Sequence, residues 1–283
     1  MKIVMQLFKA KNQLLSLISP TKAASQAVSI FLNPRRSQPK TWELKAETSG
    51  QRFKLNQQVS AIRWAPESND KQKKQVLLVH GWESRATQMY GFVPKLMQQG
   101  YEVVAIDMPA HGLSSGVRSD AKQFSESILL AERKCGKFDI IIAHSMGAGA
   151  TSHALANGLS SDKLVLISTA SSIETVLNRF GRYIGLNAKA TQSFVNQVGE
   201  EVGTKASEID SITMAQSNSI PTLFIHDRFD YEVPLSEAEK LLPLFNNSDI
   251  FITEGLGHRK ILKSQLVMDK INSFVLSTST SAV

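Results

Sequence analysis

The chain has 283 residues, 42% apolar and 20% charged, a balance that excludes disordered and membrane-spanning classes and a length that allows one large domain or two modest ones with a sizeable buried core. Its single Cys135 excludes an intramolecular disulfide, suits a reducing cytoplasm, and reads as a packed helix-end residue. The net charge of +7 is confined to residues 1–40, which hold Lys2, Lys9, Lys11, Lys22, Arg35, Arg36 and Lys40 and no acidic residue. The remainder balances 25 basic against 25 acidic groups, so the body is neutral and a nucleic-acid partner is not expected.

Residues 1–40 read as a basic helical extension. Ile3, Val4, Leu7, Phe8, Leu14, Leu15 and Ile18 recur at helical spacing, with Lys11 interrupting their face. Lys9 and Lys11 break the apolar core that a secretory signal needs, so export is disfavoured. No run of about eighteen apolar residues occurs, and a transmembrane helix is not expected. The simpler reading of residues 1–18 is a helix packed on the body; the other is weak contact with an anionic membrane surface. A second helical pattern, Ala23–Leu32, ends before Asn33-Pro34, and residues 34–39 read as an extended connector.

From Thr41 the period shortens. Trp42–Ala46 alternates apolar and polar, as does Val59–Trp64 more loosely, and both are expected as antiparallel edge strands. Residues 66–74 read as a charged surface loop. Val76–Val79 is a continuous apolar strand suited to a parallel sheet buried on both faces. Helices over Ser84–Gln98 and Asp120–Lys134 then alternate with strands at Tyr101–Ile106, Ile140–Ile142 and Leu164–Ile167. More than fifty residues separate Ile167 from the next strand, Thr222–Ile225, far more than one crossover needs. Ser171–Leu186, Lys189–Glu201 and Lys205–Ile212 look helical, and residues 172–218 are read as a helical lid inserted between core segments 41–171 and 219–276. A helix at Leu235–Phe245, a strand at Asp249–Ile252, a helix from His258 to Val275 and a frayed tail, 277–283, complete the chain.

The stretch Asp139–Ala150 carries the strongest chemical signal. Its three β-branched isoleucines form a strand that stops at Ala143-His-Ser-Met-Gly147, after which small residues open a helix. Strand, sharp turn with Ser145 at the apex, helix: this is the context of a G-x-S-x-G nucleophile elbow, with Ala143 in place of the first Gly. The alternative is a strand-to-helix turn whose Ser caps the helix. A Ser nucleophile needs an oriented base and donors for the oxyanion. His258, in Gly255-Leu-Gly-His258 after the last strand, is the best-placed of six histidines. The loop His226–Pro234 supplies Asp227 and Asp230. His80-Gly81-Trp82, at the end of the first parallel strand, lets an N–H turn inward, and the Met146 N–H opens the elbow helix.

Taken together, His80-Gly81-Trp82, Asp107–Gly116, Ala143–Gly147, His226–Asp230 and Gly255–His258 resemble the α/β-hydrolase fold family over residues 41–276. The resemblance implies a mostly parallel central sheet flanked by helices with a helical lid. It implies Ser145 as nucleophile, His258 as base, Asp230 rather than Asp227 as acid, and the backbone N–H groups of Trp82 and Met146 as the oxyanion hole. Asp107–Gly116 matches a supporting loop that braces the elbow. The activity implied is hydrolysis of a carboxylic ester or thioester of a small or medium acyl substrate through an acyl-enzyme. Peptidase, lyase or cofactor-free peroxidase chemistry, or a ligand-binding module, is the alternative on the same fold. No cofactor or metal is expected, since no Walker sequence, dinucleotide fingerprint or Cys/His cluster is present. Ile173, Val176, Leu177, Phe180, Ile184 and Leu186 give the lid an apolar face directed at the pocket or the rim of the sheet. Arg179, Arg182 and Tyr183 could bind an anionic group, but the simpler expectation is a solvated surface.

Overall fold

A computed structural model describes residues 2–66, 74–209 and 219–277. The charged loop around residues 67–73, the end of the insertion at 210–218 and the tail from 278 lie outside the described residues.

Eight strands form one sheet in the order β1-β2-β4-β3-β5-β6-β7-β8. They are β1 (Gln51–Lys54), β2 (Ser60–Trp64), β3 (Gln75–Val79), β4 (Glu102–Asp107), β5 (Ile140–His144), β6 (Lys163–Ile167), β7 (Thr222–Asp227) and β8 (Ser248–Thr253). The β1–β2 and β2–β4 pairs are antiparallel and the remaining pairs parallel. This is the mostly parallel sheet that the continuous apolar strands imply.

Each central strand sends alternate side chains to opposite faces, as the pleat requires. Leu77, Val79, Ile141, Ala143, Leu164 and Leu166 join one core with Phe124, Ile128 and Ala148. Val76, Leu78, Ile140, Ile142, Val165 and Ile167 join the other with Met89, Phe92, Val267 and Ile271. The first face is covered by α5 (Ala121–Cys135), α6 (Met146–Ala156) and α9 (Leu235–Leu241). The second is covered by the segment 86–98 and by α11 (Gln265–Leu276).

Several expected elements differ. Trp42–Ala46 is not a strand but part of helix α3 (Thr41–Thr48), which begins where the Glu43 carboxylate accepts the Lys40 N–H at 2.9 Å. Five alternating residues are too few to outweigh that cap and the helix-forming Glu, Leu, Lys and Ala. The true outer strand is β1, polar and short. Residues 86–92 form a 3-10 helix and only Val93–Gln98 is α-helical (α4), because Pro94 lacks an N–H and stands at an α-helix start. Pro243 likewise closes the helix expected to Phe245, which ends as α9 at Leu241 before a 3-10 turn. The helix expected over His258–Val275 is broken: a short α10 (Gly257–Lys260) and a 3-10 turn reach Ser264, whose extended φ of −76° and ψ of 124° start α11 anew.

A third apolar cluster lies outside the sheet. It joins α2 (Pro20–Leu32) to two helices between β6 and β7, namely α7 (Ile173–Ile184) and α8 (Ala188–Val202). Ala23, Ala24, Ala27, Val28 and Phe31 of α2 meet Leu177, Ile184, Ala190, Phe194 and Val198. The three alanines leave little side chain between α2 and its partners. Helix α2 packs chiefly along α8, α7 packs on α8 in turn, and Phe31 reaches Phe180 of α7. The remaining helix, α1 (Lys2–Ile18), rests on α2 and on the α7–α8 corner, where Asn12 Nδ2 donates to Ile184 O at 2.8 Å.

Candidate active site

The parallel strands end at one edge, and four connections meet there. Between β5 and α6, Ser145 takes φ 55° and ψ −122°, a left-handed conformation that a non-glycine residue adopts only under constraint. Its N–H is held by Ile167 O at 2.9 Å. Two glycines make room for the turn. A Cβ on Gly147 would collide with His80 O, and one on Gly81 would lie 2.8 Å from the Ser145 Cβ. Ala143 is different: it is fully buried in the sheet, paired with Val79 and Leu166, and its methyl packs in the core. The first motif position therefore tolerates a methyl, and the steric demand falls on the last.

The His258 Nε2 lies 2.9 Å from the Ser145 Oγ, and the His258 Nδ1–H donates to Asp230 Oδ2 at 2.7 Å. Asp230 Oδ1 accepts from the N–H groups of Glu232 and Val233, both at 2.9 Å. Burial pushes the Asp230 carboxyl up, but the His258 hydrogen bond, the His258 charge and the Val233 N–H hold it below its ordinary value. It is an ionised acceptor that leaves Nε2 free to accept the serine proton.

Asp227, the other candidate acid, is spoken for. It accepts from Thr253 Oγ1 at 2.8 Å, Leu256 N at 2.9 Å and Phe229 N at 3.0 Å, tying the end of β7 to the loop that carries His258. Burial raises its pKa, and the N–H and O–H donors around it more than reverse that.

The other histidines are occupied elsewhere. His144 Nε2–H donates to His258 O at 2.9 Å and braces the base, while His226 Nε2–H donates to Val233 O at 2.9 Å and braces the loop of Asp230. His80 accepts from Met108 N and His111 accepts from Glu83 N. His153 faces Ser125 on α5. Burial holds His80 and His144 well below the ordinary imidazole value and His111 at about 4. Among the described residues, His258 is the imidazole placed between a serine and a carboxylate.

Trp82 follows Gly81 past Ser145, and Met146 opens α6, so its N–H belongs to the unpaired first turn of a helix. Asp107 braces the first of these segments rather than the elbow: it accepts from Ala86 N at 2.8 Å, Leu113 N at 3.0 Å and Arg52 Nη1 at 2.8 Å. Glu83, at φ 52°, is held by the guanidinium of Arg35 at 2.8 and 2.7 Å.

Phe31 stacks on Trp82 with ring centroids 5.5 Å apart and meets Phe180 and Phe194 edge-on at 5.1 and 5.8 Å. Met146 packs against the same cluster. Arg179, expected on a solvated surface, donates to the carbonyls of Tyr231 and Glu232 beside Asp230. Sequence reasoning did not find Phe31, Arg35 or Arg52. Phe31 shows only the helical spacing of a core residue, and the two arginines have no local signature. Among the described residues, no group of three His, Cys, Asp or Glu side chains is placed to hold a metal ion.

Known proteins resemble this chain. A serine hydrolase-like protein of Dictyostelium discoideum is 30% identical over 99 residues, 33% of this chain and 27% of that protein. The match thus spans about a quarter of that relative's length. An esterase from Pyrococcus furiosus superposes with a TM-score of 0.63 at 21% identity, covering 86% of this chain and 98% of that one. An esterase from Exiguobacterium antarcticum gives 0.60 at 16% over 77% and 96%, and a bromoperoxidase from Bacillus anthracis 0.60 at 17% over 81% and 100%. At these identities the structures establish the fold, which is that of the α/β hydrolases. A family model described as TAP-like protein matches residues 198–282. A second, described as serine aminopeptidase, S33, matches residues 70–218, from the first parallel strand through the elbow into the inserted helices. With that match covering more than half of its length, the chain belongs to the serine aminopeptidase S33 family of α/β hydrolases.

Proposed function

We propose that the protein is a serine hydrolase that cleaves a carboxylic ester or thioester through an acyl-enzyme. The observation that carries this reading is the continuous hydrogen-bonded line from Asp230 through His258 to Ser145, at 2.7 and 2.9 Å, ending on a serine held at positive φ.

In that reading Ser145 Oγ attacks the substrate carbonyl carbon while its proton passes to His258 Nε2. The N–H groups of Trp82 and Met146 stabilise the oxyanion, and the ionised Asp230 stabilises the imidazolium. His258 returns the proton to the departing alcohol or thiol. Water, deprotonated by the same nitrogen, then releases the acid. The apolar roof that Phe31, backed by Phe180, puts over Trp82, with Met146 in the same cluster, supports an uncharged acyl group of small or medium size. We treat α7 and α8 as the lid, with α2 as its outer partner. The single cysteine fits a cytoplasmic setting.

The family's description makes peptide hydrolysis the second reading. An aminopeptidase must hold its substrate's ammonium group with a free carboxylate. The carboxylates flanking the site, Glu83 and Glu232, are paired with Arg35 and Arg259. Both are exposed pairs of small energy, so turnover of the two substrate classes, not the pairing, separates the readings. A fluorophosphonate probe tests the shared step: it should label the wild type and not Ser145→Ala, and an unlabelled wild type overturns the reading. A panel of nitrophenyl esters, acyl thioesters and aminoacyl anilides then ranks the substrates.

A further inference from the structure

Helix α1 leaves most of its large apolar side chains facing outward. The side turned to the body is mixed: Phe8 and Leu15 pack half-buried against the third apolar cluster, while Asn12 and Ser16 are buried, Asn12 donating to Ile184 O and Ser16 O accepting from Asn187 Nδ2 at 3.0 Å. Lys9 lies over the Tyr183 ring, 4.9 Å from its centroid. The side turned outward is apolar. Ile3, Val4, Leu7, Leu14, Leu17 and Ile18 are each 60–76% exposed. At helical spacing these six occupy one arc of about 140°. An amphipathic helix ordinarily buries such an arc, and exposed apolar surface of this extent marks an interaction site. No helix among the described residues is long and apolar enough to cross a membrane, so α1 can lie on a bilayer but not span it.

The charges around the arc select its occupant. Residues 1–40 carry seven basic groups and no acidic one. Lys11 sits within the apolar arc, its stem long enough to carry the ammonium out to a headgroup, and Lys22 is exposed on α2. At the α7–α8 corner on which α1 rests, the exposed charged residues are Arg182 and Lys189. Glu174, Glu200 and Glu201 lie at the far ends of those helices. A second copy of the chain would press one basic face on another. We propose that α1 is an interfacial helix that docks this protein on an anionic lipid surface, its apolar arc entering the acyl boundary and its lysines meeting the headgroups.

Co-sedimentation of the full chain with phosphatidylcholine vesicles, with and without phosphatidylglycerol, tests this. Binding should require phosphatidylglycerol and weaken as salt rises. The triple variant Leu7→Ser, Leu14→Ser, Leu17→Ser should bind at least about ten-fold more weakly, and Lys11→Glu with Lys22→Glu should remove most of the preference for anionic lipid. All five side chains are exposed, so the variants should keep the wild-type melting curve, which is recorded alongside. Absence of vesicle binding by the wild type overturns the proposal, as does a triple variant that binds equally well. So does a wild-type dimer that the triple variant dissociates while neither protein binds vesicles, which would assign the face to a second copy.

Discussion

Phe31 lies face to face with Trp82, ring centroids 5.5 Å apart and planes 11° from parallel. The first residue belongs to a helix outside the sheet domain, and the second carries one of the proposed oxyanion donors. Trp82 is pressed from its other neighbours by Phe124 at 5.9 Å and by the edge of His111 at 5.0 Å. The basic extension thus walls in the indole of Trp82.

Removing that wall should be felt twice. Phe31 is 6% exposed, and Phe31→Ala should destabilise the fold by about 3 kcal/mol, as large-to-small changes in packed clusters do. It should also lower kcat/KM on a short-chain ester by about ten-fold, equivalent to about 1.4 kcal/mol of transition-state stabilisation, because the Trp82 indole loses its support. Phe31→Leu should recover most of the stability without the aromatic plane. A Phe31→Ala protein with reduced stability and unchanged kcat/KM would confine α2 to packing.

The Arg35–Glu83 pair joins the same two regions but should contribute little. The Arg35 side chain is 87% exposed, and pairs of that kind are worth about 0–1 kcal/mol. Arg35→Ala should therefore shift the unfolding free energy by less than about 1 kcal/mol, and high salt should erase the difference. Urea titrations at low and high salt measure it; a loss several times larger would mean that the connector is held by this contact rather than by Phe31.

The two aspartates of the β7 loop should separate cleanly. Asp230→Asn places an amide where Oδ2 accepts the His258 Nδ1–H, which turns the imidazole to the wrong tautomer and should lower kcat by about 10³–10⁴-fold. Asp227→Asn leaves that line intact and loses part of the set of bonds from Thr253, Leu256 and Phe229. It should cost about 1–3 kcal/mol of stability with activity within ten-fold of wild type. Reversal of the two phenotypes would move the acid to Asp227.

The elbow was legible because its physics is local: the β-branched run, the turn and the small-residue helix occupy a dozen consecutive residues. Ser145, Asp230 and His258 each stand at the end of a strand whose apolar run is plain. The roof was not legible. Phe31 reads as any core position of a helix, and nothing near it marks Trp82, Phe180 or Phe194 as its partners. Trp42–Ala46 misled for the opposite reason, since its alternation is real but the Glu43 cap and burial of Ala46 in helix α3 outweigh it. Asp230 and Asp227 stand in one loop and no local signal separates them; in the fold Asp230 accepts from His258, and Asp227 from Thr253, Leu256 and Phe229.

Buried neutral histidines should make the fold acid-sensitive. His111 titrates at about 4 in the folded chain, against 6.5 for an ordinary imidazole, because burial disfavours its charged form. The unfolded chain therefore binds a proton that the folded chain refuses between those values. Stability is fully present above about pH 7 and falls as pH drops toward 4, by up to about 3 kcal/mol for this group alone. His80, His144 and His226 are shifted in the same direction by burial. Urea unfolding at pH 7.5 and pH 5 should show the loss, and His111→Gln should reduce the difference between the two by about 2 kcal/mol. An equal pH dependence in the variant would place the sensitivity in the other shifted histidines, half-buried His153 among them.

Ala143 is the remaining departure at the centre, and restoring glycine there should not improve the enzyme. The Ala143 side chain is fully buried between Val79 and Leu166 in the sheet, so Ala143→Gly removes a packed methyl and adds backbone freedom to the unfolded chain. Together these should cost about 1–2 kcal/mol. The turn itself depends on Gly147, where a methyl would strike His80 O, and on Gly81, where it would strike Ser145. Turnover by Ala143→Gly should accordingly stay within about two-fold of wild type, a change of under half a kcal/mol in barrier. Gly147→Ala should abolish fluorophosphonate labelling even in protein that remains folded. A marked gain in turnover for Ala143→Gly would show that the methyl restrains Ser145 after all.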